Sequence, residues 1–163
     1  VAALVAALFI VTMIPQTVLY IGTAFANDDA WGYIQENWHR VAPITLSALA
    51  ISVFMASISL AIAAQTSRRA FATGGVLAFF VILAAVGNVL FNSTSGDLQR
   101  AFVLIDPFTV IEGMTFWIFR ATPEADSFVA RADLPGILYF GVALAAAAIS
   151  TGIVFRRFQR IAA

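Results

Sequence analysis

The only side chains in this 163-residue chain that carry charge or bind protons near neutrality are nine carboxylates, nine arginines and one histidine. Their arrangement excludes more chemistry than it permits. Asp28, Asp29, Glu36 and His39 are close enough in sequence to be weighed as metal ligands, but their spacing fits no ligand pattern. Asp106 and Glu112 are the carboxylates set in the most apolar surroundings. An acid–base pair must face one substrate, and two groups six apart on a helix fall on different faces. A lone His39 cannot supply both axial ligands of a haem. With no cysteine there is no thiolate metal site, iron–sulfur cluster or disulfide. All nine basic residues are Arg, so a Walker A phosphate loop and Schiff-base chemistry are also excluded. The sequence therefore predicts no catalytic centre, cofactor or metal in this chain, and no nucleic-acid partner.

The elements that carry these residues are those of a membrane protein. Hydrophobic residues make up 61% and charged residues 11% of the chain; soluble domains have roughly 45–50% and 25%. Residues 1–26, 41–66, 70–91 and 134–155 contain no acid or base. As helices they are roughly 33–39 Å long, enough to cross a hydrocarbon core of about 30 Å. The expected fold is all-α, with four transmembrane helices. Pro43 and Pro135 suit first helical turns, and Asp133 suits the N-cap of the last helix. Pro15 falls mid-run and predicts a kink, with Thr12 or Gln16 helping to satisfy the freed backbone. Ala24-Phe25-Ala26 before Asn27 resembles a signal-peptide cleavage site. The run is too long for a signal h-region and no base precedes it, so it reads as a true span of a chain truncated at its N-terminus.

Charge placement orients the spans. All nine acids lie within 27–40 or 92–133, together with Arg40, Arg100, Arg120 and Arg131. Arg68, Arg69, Arg156, Arg157 and Arg160 occupy the opposite side without an acid. Short Arg-rich loops stay cytoplasmic, so 67–69 and 156–163 are expected inside, with the two acidic connections outside. Trp31, Tyr33 and Trp38 in the first connection fit an interfacial aromatic belt. Within the spans, small residues mark contact faces. Ala48, Ser52, Ala56, Ser59 and Ala63 form one stripe, and Gly141, Ala145, Ala148 and Gly152 another. Such a face serves helix packing or lines a substrate path. Gln16 is the deepest amide and the better pathway candidate, ahead of Gln65 and Asn88 near helix ends. No span contains an ionisable group of the kind a proton relay or charge-coupled transporter needs, so energy for transport would come from elsewhere.

LIDPFTVIEGMTFWIF at 104–119 is apolar enough to leave water, yet includes Asp106, Pro107 and Glu112. A fifth crossing there would reverse the tail and put carboxylates in hydrocarbon, at about 2.5–3.5 kcal/mol for a central Asp. Asp106 suits an N-cap and Pro107 the first helical position, with Phe108, Ile111, Met114 and Ile118 on one face. A helix over 107–119 spans only about 20 Å. It is expected to dip into the outer leaflet or lie along it, with Glu112 toward water or a polar partner.

QTSRRAFATGGVLAFFVIL, DPFTVIEGMTFWIF and FRRFQR, in this order and spacing, resemble the last four helices of the six-helix permease of ATP-binding-cassette (ABC) exporters, including the ABCG-like class. The likeness covers essentially the whole chain but lacks the family's first two helices and the coupling helix between them. It implies a permease subunit that works by alternating access, with ATP and Mg held by separate ATPase subunits. It also implies a second or homologous permease copy as partner and a location in a prokaryotic cytoplasmic membrane. Thr66, Ser67, Arg68 and Arg69 would form the smaller ATPase contact. Asp106, Pro107, Phe108, Glu112 and Trp117 would belong to the external re-entrant segment, with Gln16, Ser52, Ala56 and Ser59 in the pathway or its packing. The other reading is a structural or accessory subunit of a larger membrane complex, without transport.

Overall fold

A computed structural model describes residues 2–66 and 68–162. Each uncharged run forms a helix, because in hydrocarbon the backbone must satisfy its own hydrogen bonds. These are α1 (Ala2–Phe25), α3 (Val41–Ala63), α4 (Arg69–Ser93) and α8 (Gly136–Ala162). All four are long and apolar enough to cross a bilayer, making this an all-α, multi-spanning membrane protein. The second run stops short at Ala63 and ends in a turn, while α8 continues beyond residue 155 through the arginines. α1 runs through Pro15 without interruption. The Thr12 hydroxyl donates to the Leu8 carbonyl at 2.8 Å, not to the carbonyl of Val11 that the proline leaves free.

The 27–40 connection is more ordered than its composition suggests. Asp29 caps α2 (Ala30–Asn37), its Oδ1 accepting from the Gly32 N–H at 2.9 Å. A 3-10 turn at Trp38–Arg40 then leads straight into α3, so that Ala30–Ala63 is one 34-residue helical stretch. Pro43 sits in the first turn of α3, as expected. Asp133 departs from its predicted role. It ends the short helix α7 (Phe128–Ala132) in a left-handed conformation with φ 49°, its N–H donating to the Ala130 carbonyl. Pro135 separates it from α8 by forcing extended backbone on the residue before it, so Asp133 cannot serve as the N-cap of α8.

The chain divides into two compact units, Val1–Ala56 and Ser57–Ala163. In the first, α1 meets α2 through Tyr20 and Tyr33, whose ring centroids lie 6.2 Å apart. In the second, α4 and α8 run antiparallel. At one end Arg157 of α8 donates to Gln65, just before α4. At the other end Phe91 of α4 stacks edge-on with Phe128 of α7 at 5.1 Å, three residues of turn before α8 begins. The Arg131 guanidinium covers both rings, at 4.8 and 5.6 Å. The segment between α4 and α8 therefore enters and leaves at the same end.

Candidate functional site

That segment is a bent helical hairpin. α5 (Asp97–Phe102) and a 3-10 turn (Val103–Ile105) form its first arm, and α6 (Pro107–Phe119) the second, at 97° to it. The break follows from Asp106-Pro107. A residue before proline is driven out of the α region, and Asp106 is extended with φ −75° and ψ 111°. Its carboxylate then starts the new helix. Oδ1 accepts from the Phe108 N–H at 2.9 Å and Oδ2 from the Thr109 hydroxyl at 2.6 Å. Asp106 is the cap and Pro107 the first residue of α6, as their types predict.

Three glycines let the hairpin approach its neighbours. A Cβ on Gly87 of α4 would stand 3.0 Å from the Asp106 Cβ and 3.1 Å from its backbone N, so the hinge rests on bare backbone there. Gly87 lies six residues before the end of α4 at Ser93, which puts the hinge about 9 Å below that end. A Cβ on Gly113 would lie 2.5 Å from the Tyr139 ring, and one on Gly136 would meet Trp117. Trp117 also packs on Phe140, at 5.3 Å between centroids. Since 113 pairs with 139 and 117 with 136, α6 climbs antiparallel to α8 from the hinge back to the end it entered by. Arg120 closes it in a left-handed conformation, with Ala121 N–H donating to the Phe116 carbonyl at 3.0 Å.

The buried stripe of α6 is Pro107, Val110, Gly113 and Met114, with Thr109 beside it. Of the expected Phe108/Ile111/Met114/Ile118 face only Met114 is buried, and Phe108 is 51% exposed. The tight contacts at Gly113 and Trp117 turn the helix away from that face. Glu112 is half-buried on the side facing away from Met114. Burial pushes its carboxyl above the ordinary carboxylate range, and the negative charges of Glu124 and Asp106 add to the shift.

The remaining predicted residues belong to other segments of the chain. Ser67 and the Arg69 side chain lie outside the described residues. Arg68 is exposed and extended just before α4, and its carbonyl accepts from the Thr66 hydroxyl at 3.2 Å. Ala48, Ser52 and Ala56 are fully buried, and the Ser52 hydroxyl donates to the Ala48 carbonyl. Ser59 is half-buried. The Gly141, Ala145, Ala148 and Gly152 stripe is exposed, and nothing lies within 4 Å of a Cβ built at either glycine. α8 buries Tyr139, Ala143, Ala147 and Ser150 instead, and on that face Tyr139 meets Gly113 of α6. Gln16 Oε1, Tyr20 Oη and Ser47 Oγ in the first unit, and Tyr139 Oη in the second, are buried without hydrogen-bond partners. Comparison with protein-family models, curated proteins and solved structures found no match.

The sequence reading missed Gly87, Gly113 and Tyr139, which hold the hairpin in place. Their types were visible, but their pairing across the chain was not. Thr109 carried a readable signal: a hydroxyl three residues after an Asp-Pro cap can reach the free carboxylate oxygen.

Proposed function

We propose that the chain is the permease subunit of an ABC exporter, moving substrate by alternating access under the drive of separate ATPase subunits. One observation carries this reading: a bent hairpin wedged between two antiparallel spans, with both arms at the same end. Such a hairpin is suited to cap a path without itself crossing. Gln65, just before the proposed ATPase-contact turn, and Arg157 of α8 meet at the far end, where an ATPase would push on both spans at once. By the placement of arginines, that end is cytoplasmic and the hairpin external. The spans supply no ionisable group for coupling to an ion gradient, which agrees with an external energy source.

The open Gly141/Ala145/Ala148/Gly152 face suits close approach of another helix, as a second permease copy requires. An accessory subunit would use the same face for docking alone. Purification of the full chain from its native membrane separates the two readings. The permease reading expects an ATPase subunit bearing a Walker A loop to copurify in stoichiometric amount, with hydrolysis that depends on this chain. Stable complexes that contain no such ATPase would reject it.

A further inference from the structure

Among the described residues no basic side chain pairs with the Glu112 carboxyl. The groups acting on it, Glu124 and Asp106, are both acids. One helical turn toward the hinge lies Phe108, 51% exposed, its ring 6.3 Å from Phe80 of α4. Phe80 in turn stacks edge-on with Phe79, 37% exposed, at 5.7 Å. Phe116 and Phe119 follow Glu112 at four and seven residues, so helical spacing continues an aromatic face on both sides of the carboxylate. Next to this locus Tyr139, packed against Gly113, is fully buried and its hydroxyl has no hydrogen-bond partner.

An unpaired carboxylate in a membrane-dipping segment is costly to hold and marks a site of function. Aromatic faces attract cations, most strongly where water is scarce. The arrangement is also polarised by depth. α6 climbs from the hinge, so Glu112 stands nearer water and Phe108 about one turn deeper, while Phe80 and Phe79, seven and eight residues before Gly87 on α4, lie deeper still. A molecule matching this order has a cationic head and an apolar body below it. Metal ions are a poor match, because no three His, Asp or Glu side chains converge among the described residues.

We propose that the Phe108–Glu112 face of α6 binds lipophilic monovalent cations, with the charge at Glu112 and the apolar body on the exposed Phe108 and Phe79 rings, which the buried Phe80 backs. As a substrate class this rests on the transport reading; as a binding site it does not. The test therefore reads binding alone. Equilibrium dialysis of radiolabelled tetraphenylphosphonium against the full chain in nonionic maltoside micelles, with empty micelles as blank, should show saturable binding. Glu112→Gln should weaken it about tenfold or more. Glu112→Asp, which keeps the charge, should stay within a few-fold of wild type, and Phe108→Leu should weaken binding several-fold. Neutral triphenylphosphine oxide should not compete. Unchanged affinity in Glu112→Gln, or equal competition by the neutral compound, would overturn the site. Binding at Glu112 by a chain that moves no substrate would uphold the site and reject only the permease reading.

Discussion

The Arg157 guanidinium donates to the Gln65 side-chain oxygen across 3.2 Å, joining the last turns of α8 to the turn before α4. Everything between them must then cross the membrane an even number of times. If that shared end is cytoplasmic, a cysteine placed at Arg69 in this cysteine-free chain is shielded from an impermeant thiol reagent in intact cells. A cysteine at Glu124 is labelled. The reverse pattern would refute the orientation.

The permease reading makes the Thr66–Arg69 turn a contact with the ATPase. Reversing both charges, Arg68→Glu with Arg69→Glu, should abolish most substrate-stimulated ATP hydrolysis while the protein still inserts. Because the same arginines also signal topology, insertion is checked by the labelling pattern above. Full stimulation in a correctly inserted double variant would remove the turn from the coupling path.

Gly113 is pressed beneath Tyr139, so Gly113→Ala should overpack the α6–α8 contact and destabilise the hairpin by about 1–3 kcal/mol. Tyr139→Leu in the same chain should recover part of that loss by vacating the space. Hydrogen exchange of the 107–119 amides reads both effects. Equal protection in wild type and Gly113→Ala would mean that the two helices do not meet at this glycine.

Glu112 gives the hairpin a pH dependence whose sign follows from its raised pKa. A carboxyl held above its ordinary value of 4.5 in the folded state binds its proton more tightly there than in the unfolded chain. The stability tied to the neutral form is fully present below that ordinary value and is lost as pH rises through the folded value. Asp106 at the hinge, Glu124 in the following loop and Tyr139 on α8 are the titratable groups near it. Hairpin protection, corrected for intrinsic exchange, should therefore fall over this window in wild type and stay level in Glu112→Gln. Parallel curves for the two proteins would assign the dependence elsewhere.

The sequence was most legible where a residue type forces a local conformation. Asp106-Pro107 can hardly do other than break one helix and begin the next, and the uncharged runs can hardly do other than form helices in hydrocarbon. Asp133 misled because an Asp before Leu-Pro satisfies two local rules, N-cap and left-handed helix end, and only the presence of α7 decides between them. The Gly141/Ala145/Ala148/Gly152 stripe is legible as a smooth face, but not as one that this chain leaves open. Periodicity shows that a face is smooth but not which of two smooth faces the chain itself covers, and the covered one is built around Tyr139, Ala143 and Ala147. The seats at Gly87 and Gly113 depend on partners far along the chain, which no local pattern encodes.

The depth of the hairpin tests the account at its centre. Spin labels placed singly from 98 to 118, with accessibility to oxygen and to a polar relaxer measured in bilayers, should report a descent, a deepest point at 106–108 and a return. The deepest labels should sit about 9 Å below the end of α4, where Gly87 receives Asp106. Labels from 98 to 118 that pass steadily through the bilayer centre to the far surface would show a fifth crossing, and the antiparallel pairing of α4 and α8 could not stand.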